Sequence, residues 1–413
     1  MKAQLLSLST LIFAGIGLAN SLSVAADGIP VSSGFGLDTM APEGRWAARL
    51  ETRTNRYETR FNDAGKREDM DAAFDRVNLD QSIFPALALL GPGTSLGTTH
   101  LDTRVENSFA ILTLGYGITT DITIGAIIPY ARSHTRAKFS VDGGNVGFNP
   151  AFDPSAPVGP GNFPFAPVGG AVIPMGTSGV RQLLSNPAFG YGYKPIQEAR
   201  SSGLGDPTAG VLWRFHKTEK QSAILGLGLR FGIAMDDDPD NLLDVPSGDG
   251  STDIRARFEY FRDIGAGFDF HLLADYNIQT ADQVTMRVPV AGQLLASAAS
   301  KEKLDRNLGD FFETDLELGY RWSDWRVSAT WHRYQEQQDY YRSRRGTDTS
   351  ALENDTWTRA DQYRLSATWS GIQAWQQGKL PMPLIVKLEM QDTFGGNNFV
   401  GVRDFYLQIT SFF

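Results

Sequence analysis

The segment FETDLELGYRW, residues 312–322, alternates without a break: Phe312, Thr314, Leu316, Leu318, Tyr320 and Trp322 share one face, and Glu313, Asp315, Glu317, Gly319 and Arg321 share the other. A period of two residues is the signature of a strand whose two faces meet different surroundings. SAILGLGLRFGIA (222–234) repeats the pattern, with Ala223, Leu225, Leu227, Leu229, Phe231 and Ile233 opposite Gly226, Gly228, Arg230 and Gly232. FDFHLLADYNIQ (268–279) sets Phe268, Phe270, Leu272, Ala274, Tyr276 and Ile278 against Asp269, His271, Asp275, Asn277 and Gln279.

Soluble sandwiches also alternate, but they bury the apolar face and use strands of about 5 to 6 residues. The segments here run to about ten or more, the length that crosses a bilayer at a tilt. Aromatic residues gather at their ends, as at Tyr320, Trp322 and Trp325 around the turn Ser323-Asp324. Such girdles mark the two membrane interfaces. The expected fold is therefore all-β, a closed antiparallel transmembrane barrel of about 12 strands. The strands are predicted near 45–59, 103–117, 121–140, 206–217, 222–235, 252–263, 268–282, 311–322, 325–341, 358–371, 383–393 and 400–413. Short connections at 118–121, 218–221, 264–267 and 323–324 alternate with long ones, and only 373–381 departs from that rhythm. Short turns face the periplasm and long loops the exterior, which puts both chain ends on the periplasmic side.

A hydrocarbon environment tolerates no open sheet edge, so the last strand has to pair with the first. The final segment, VRDFYLQITSFF (402–413), places Phe405, Leu407, Ile409, Ser411 and Phe413 on one face. Phe413 then doubles as the terminal signal read by the barrel assembly machinery.

Mean hydropathy is -0.24, a value that by itself suggests a soluble protein, yet the first residues read otherwise. Lys2, the apolar run Leu11–Leu18 and the small residues Ser23–Ala26 form the pattern of a secretory signal peptide cleaved before Asp27. The expected organisation is a signal peptide over 1–26 and a barrel over 27–413. The destination is the outer membrane of a Gram-negative cell. With 0 cysteines there is no disulfide framework and no thiolate chemistry. The net charge of -9 becomes one unit more negative without Lys2, which argues against nucleic acid as a partner.

The inward faces carry the lumen and selectivity candidates Arg214, Arg230, Arg255, Arg257, Glu259, His271, Glu313, Glu317, Arg321, His332, Arg364 and Glu389. Both signs are mixed, so these groups read as a partly hydrated ion-pair network that either selects solutes or only satisfies the lumen. No HExxH, no GxSxG and no metal-ligand spacing accompanies the histidines. Neither a metal, a cofactor nor catalysis is expected. The acidic stretch 236–253 lacks the carboxylate spacing of a calcium loop, and its weaker reading is a bridge through divalent cations to lipopolysaccharide.

Loop 141–200 is rich in Gly, Pro, Asn and Phe, and its 143–170 portion is too broken for helix. Its Phe148, Phe152, Phe163, Phe165 and Phe189 are candidates for capturing an apolar solute at the mouth. Loop 61–100 offers a predicted short amphipathic helix at 69–79 and an apolar turn at 83–91.

YGITTDITIGAIIPY (116–130) and SGLGDPTAGVLWRF (202–215) resemble the outer-membrane family named for the MetA pathway of phenol degradation. Gly117, Thr120, Asp121, Gly125, Pro129 and Tyr130 match its strand-turn-strand pattern, and Gly203, Leu204, Gly205 and Asp206 match a GLGD that opens the next strand. The resemblance implies a barrel transporter of small hydrophobic or aromatic compounds. Asn149-Pro150-Ala151 repeats a motif from the plug of the long-chain fatty-acid and toluene barrels. Here it lies in a long external loop, and too few residues precede the first strand to build that plug.

The expected function is passive uptake through a monomeric barrel that contacts outer-membrane lipid and lipopolysaccharide. A barrel hydrolase acting on lipid or peptide, or a structural, surface-binding barrel, are the alternatives.

Overall fold

The computed structural model describes residues 39–413 apart from 154, 158, 235 and 236. The expected signal peptide lies outside the described residues. Twelve strands form the wall: β1 (Trp46–Tyr57), β2 (Ser95–Thr119), β3 (Ile122–Gly143), β4 (Thr208–Lys217), β5 (Gln221–Arg230), β6 (Asp253–Gly265), β7 (Phe268–Gln279), β8 (Phe311–Trp322), β9 (Trp325–Glu336), β10 (Thr358–Ser370), β11 (Leu384–Asn397) and β12 (Arg403–Phe412). Each pairs antiparallel with its neighbours in sequence, and β12 returns to β1 with Ala47 opposite Phe412 and Arg56 opposite Arg403. The backbones of Trp46 and Phe413 then exchange two hydrogen bonds, of 2.8 and 2.9 Å, which seals the seam at its periplasmic end.

Alternation is realised in the expected sense. Leu225, Leu316 and Leu407 are 43%, 40% and 37% exposed, whereas Glu317, Arg257's partner Asp275 and Thr410 are buried. Apolar side chains therefore point outward to lipid and charged ones inward, the inverse of a soluble core. Trp46, Phe268, Tyr320, Trp322 and Trp325 are exposed at the periplasmic rim, with Phe268 and Tyr320 in contact at 4.9 Å between ring centres.

The wall departs from expectation where loops meet it. The β2–β3 hairpin runs beyond the barrel, from Gly97 opposite Gly143 downward, because Leu101, Phe139 and Val141 are covered by external loops rather than by lipid. The fourth wall element starts early: Glu198–Leu204 already pairs with β3, from Arg136 to Tyr130, before β4 takes over at Thr208. Between them Pro207 has no amide to give. There the Asp206 carboxylate accepts the amides of Ile233 (2.9 Å), Ala234 (2.8 Å) and Gly250 (3.2 Å). That capture pulls the chain after Arg230 out of register, so β5 ends there and not at 235.

Loop structure also differs. The segment 69–79 holds turns over 70–76 between two short strands, Arg67–Asp69 and Asn78–Asp80, since Asp71 and Asp75 accept backbone amides of Thr103 and Leu101 on β2 instead of capping a helix. The apolar turn holds a 3-10 segment, Pro85–Leu90. The longest helix among the described residues is α1, Gly176–Ser185, on the external side. It buries Val180, Leu183 and Leu184, a helical face that the neighbouring Gly and Pro residues hide in sequence.

Of the four apolar clusters among the described residues, three grip the barrel. Outside, side chains of four loops and the β2–β3 hairpin, among them Phe84, Phe139, Phe165, Leu183 and Leu295, form a cap. The Arg287 guanidinium clasps its loops, bonding Asp240 at 2.6 Å and the carbonyls of Tyr191 (2.6 Å) and Ala296 (3.2 Å) while lying 4.0 Å over the Tyr193 ring. Burial favours the neutral form of Asp240, but Lys301 and Arg287 outweigh it and hold the carboxyl below its usual range. At the outer mouth, Val245 of the β5–β6 loop sits among Tyr57, Val105, Tyr334, Ala360 and Phe399, which come from opposite walls. At the periplasmic mouth Ala41 packs with Ile372, Ile385 and Phe412.

A charge on the lipid face would have no partner. Leu316→Arg, at the middle of β8, is expected to cost roughly 2–4 kcal/mol, read as a shift in urea unfolding of the barrel in lipid bilayers.

Candidate functional site in the barrel lumen

Strands β6 to β12 and β1 turn ionised side chains into the lumen, and the structure joins them into ion pairs. Asp275 on β7 receives Arg255 at 2.9 and 2.8 Å and Arg257 at 2.7 Å, and Arg257 continues to Glu259 at 3.0 Å. Glu259 also faces His271 at 3.9 Å. Asp269 takes Arg326 at 2.6 Å and Arg321 at 3.0 Å, while Glu317 pairs with Arg326. On the next strands, Asp315 holds His332 at 2.5 Å and Arg364 at 2.8 Å, and Glu389 pairs with Lys387 at 2.6 Å. Glu313 lies directly opposite Asp275 on the neighbouring strand. Across the seam, Arg53 reaches Asp404 at 2.6 Å.

Two expected members stand at the ends of the lumen. Arg214 bonds Asp121 at 3.1 Å and the Thr120 carbonyl, and so ties β4 to the periplasmic turn. Arg230 binds Asp249 at 2.6 Å and pairs with Asp253, holding the inserted loop at the outer mouth. Two acids of the same loop are engaged in the same way, Asp238 with Lys194 at 2.5 Å and Asp240 with Lys301 at 2.5 Å. Among the described residues no cluster of metal-ligating side chains is present.

The opposite wall carries few side chains. The registers of β2 to β5 turn Gly115, Gly125, Gly210, Gly226 and Gly228 inward in one patch beside Thr113, Ile127 and Thr208. A cavity of about 110 Å³ lies against this bare backbone, bounded by Arg49, Arg255, Arg257 and Thr39. The lumen is thus lopsided, with charge on one side and a gap on the other. Composition hides this, because glycine on a strand can equally signal a bulge.

Residues ahead of β1 complete the site, a role that their position before the first strand does not announce. Thr39 crosses the lumen to donate to Glu259 at 2.9 Å, and the Ala41 amide donates to the Thr123 hydroxyl at 3.0 Å. Gly117 of the family motif permits that approach: a Cβ there would sit 2.1 Å from the Pro42 carbonyl oxygen. Gly205 has the matching task above, where a Cβ would stand 2.9 Å from the Ser247 carbonyl oxygen. Gly203 faces the Ser247 side chain, and Pro129 accepts the Gly205 amide at 2.9 Å.

The loop phenylalanines form a group of their own. Phe163 and Phe165 are buried in the cap, and Phe148 and Phe189 pack against it, with ring centres of 5.4 to 6.1 Å among the four. Phe152 is half-buried nearby. A second cavity, of about 310 Å³, opens between the loops and is lined in part by Leu242, Met286, Leu294 and Leu352.

A closed twelve-stranded barrel with a lipid-facing apolar band and a charged lumen is an outer-membrane β-barrel. The family described as "Putative MetA-pathway of phenol degradation" matches residues 91–399, and the chain belongs to it. No curated protein matches it in sequence. An outer membrane channel from Pseudomonas putida F1 shares the fold at 9% identity and a TM-score of 0.52, with 90% of this chain and 96% of that one covered. The Ralstonia pickettii toluene transporter TbuX is similar at 9% identity and a TM-score of 0.36, covering 99% and 98%.

The ion-pair band predicts an asymmetric response to mutation. Asp275→Ala leaves Arg255 and Arg257 buried without their shared partner and should cost about 3–5 kcal/mol, measured by urea unfolding in bilayers. The triple change Asp275→Leu, Arg255→Met, Arg257→Met should recover most of that loss.

Proposed function

We propose that the barrel passes small apolar or aromatic molecules across the outer membrane by passive diffusion, without catalysis. The observation that carries this reading is the lopsided lumen. Ion pairs fill one side and satisfy one another, so they offer no wide aqueous path for ions. The glycine patch leaves a gap of about 110 Å³, of the order of the about 150 Å³ apolar cavity that accommodates benzene. Above it, the cavity between the loops and the phenylalanine cluster supply an apolar place for a solute to leave water. The family's link to phenol degradation and the channel of the same fold in Pseudomonas putida support the same reading. In this reading a leader over 1–26 directs export, the assembly machinery reads the exposed Phe413, and the monomer contacts lipopolysaccharide through its loops.

Ile127 faces the gap from β3. Ile127→Trp should fill it and bring uptake of labelled toluene by proteoliposomes close to that of protein-free vesicles, while the barrel keeps its heat-modifiable mobility on gels. Unchanged toluene uptake in that variant contradicts the route. N-terminal sequencing of protein isolated from outer membranes should begin at Asp27; a chain that retains residues 1–26 contradicts the leader.

A further inference from the structure

Among the described residues, one arginine of the lumen network makes no ion pair. Arg49, on β1, is 2% exposed, and no carboxylate lies within ion-pair distance of it among the described residues. Its hydrogen bond is a long one, from Nη2 to the Thr113 hydroxyl at 3.4 Å, and its Nε and Nη1 have no partner among the described residues. The acid nearest to it along the strand, Glu51, stays outside ion-pair distance and accepts from Gln408 at 2.8 Å. Across the same cavity, the buried Thr208 hydroxyl is likewise without a partner. Every other arginine of the band from Arg53 to Arg364 meets an acid. A guanidinium buried with spare donors carries a desolvation cost that an anion would offset.

The shape of the gap narrows the kind of anion. One wall is the glycine patch with Ile127 and Leu212 beside it, and the other is the row Arg49, Arg255 and Arg257. The latter two are already committed to Asp275 and Glu259, which leaves Arg49 to meet the ligand. A volume of about 110 Å³, somewhat below the about 150 Å³ of an apolar cavity that takes benzene, limits the ligand to a single small ring. We propose that this cavity is a binding site for a small aromatic carboxylate, its carboxylate accepting from Arg49 and Thr208 and its ring lying on the glycine patch. The proposal rests on the channel reading and refines its solute: the barrel would favour the acid over the neutral hydrocarbon.

The test uses the full-length barrel in detergent micelles, titrated calorimetrically with benzoate and with benzyl alcohol as its uncharged counterpart. Wild type should bind benzoate more tightly than benzyl alcohol. Arg49→Met should weaken benzoate by about tenfold or more, the loss of a charged hydrogen bond, while benzyl alcohol binding stays as it was. Arg49→Lys should retain part of the benzoate affinity, and Thr208→Val should lower it less than Arg49→Met does. Equal benzoate binding by wild type and a folded Arg49→Met, or no benzoate binding by wild type, overturns the site. If Arg49→Met does not form a barrel, Ile127→Trp decides, since it fills the cavity with Arg49 in place; benzoate binding that persists in it overturns the site. Proteoliposome uptake separates the two readings. Toluene uptake without benzoate binding overturns the site and leaves the channel standing. Arg49-dependent benzoate binding with no uptake of either compound upholds the site and overturns the channel.

Discussion

Closure of the hydrogen-bonded wall is the constraint on which everything else depends. In hydrocarbon an unpaired amide costs several kcal/mol, so a strand of this protein is stable only when both of its edges are paired. The β1–β12 seam supplies the last of those pairs, ten residue positions deep from Ala47 opposite Phe412 to Arg56 opposite Arg403. Once the ring exists, every inward residue is committed to a narrow interior and every outward one to lipid. The charges of the lumen then have no bulk water to turn to, and they satisfy one another as Arg255, Arg257 and Asp275 do.

Filling such an interior with ion pairs is costly in desolvation, and the alternative would be an apolar core. A charged interior does, however, leave the sheet able to insert with its apolar side toward lipid, and it stiffens one half of the lumen. The other half is kept open by glycine. Paired charge on one side and a patch of glycine on the other create a gap whose width is set by the wall itself. Short segments reach into both mouths of the lumen: residues 39–44 from the periplasm and the loop bearing Val245 from outside.

Much of this could be read from residues alone, and the reason differs by element. The strand around Leu316 was legible because its alternation is dense and both faces are chemically pure. The β5 end was not: Phe231 and Ile233 continue the period of two, but the Asp206 carboxylate, 27 residues away, takes the amide of Ile233. The turns at 69–79 look amphipathic, yet Asp71 and Asp75 bond to β2 across the cap. In each case a polar side chain brought near by the fold outcompeted a local preference. Among the lumen residues, the sequence singled out Arg255, Arg257 and Glu259 as inward, but had no means to separate a paired arginine from an unpaired one.

What the sequence determined by itself is whatever repeats with the period of the strand: the number of wall segments, which face each residue takes, and the side of the membrane on which the short turns lie. These follow from local geometry, since successive side chains on a strand point opposite ways whatever the strand is paired with. Only the tertiary structure decided which charges meet, that Thr39 spans the lumen to Glu259, and that five glycines from four strands fall together opposite Arg49. Those contacts depend on the stagger between strands and on the curvature of the closed wall, quantities that arise when the ring forms and that no single segment encodes.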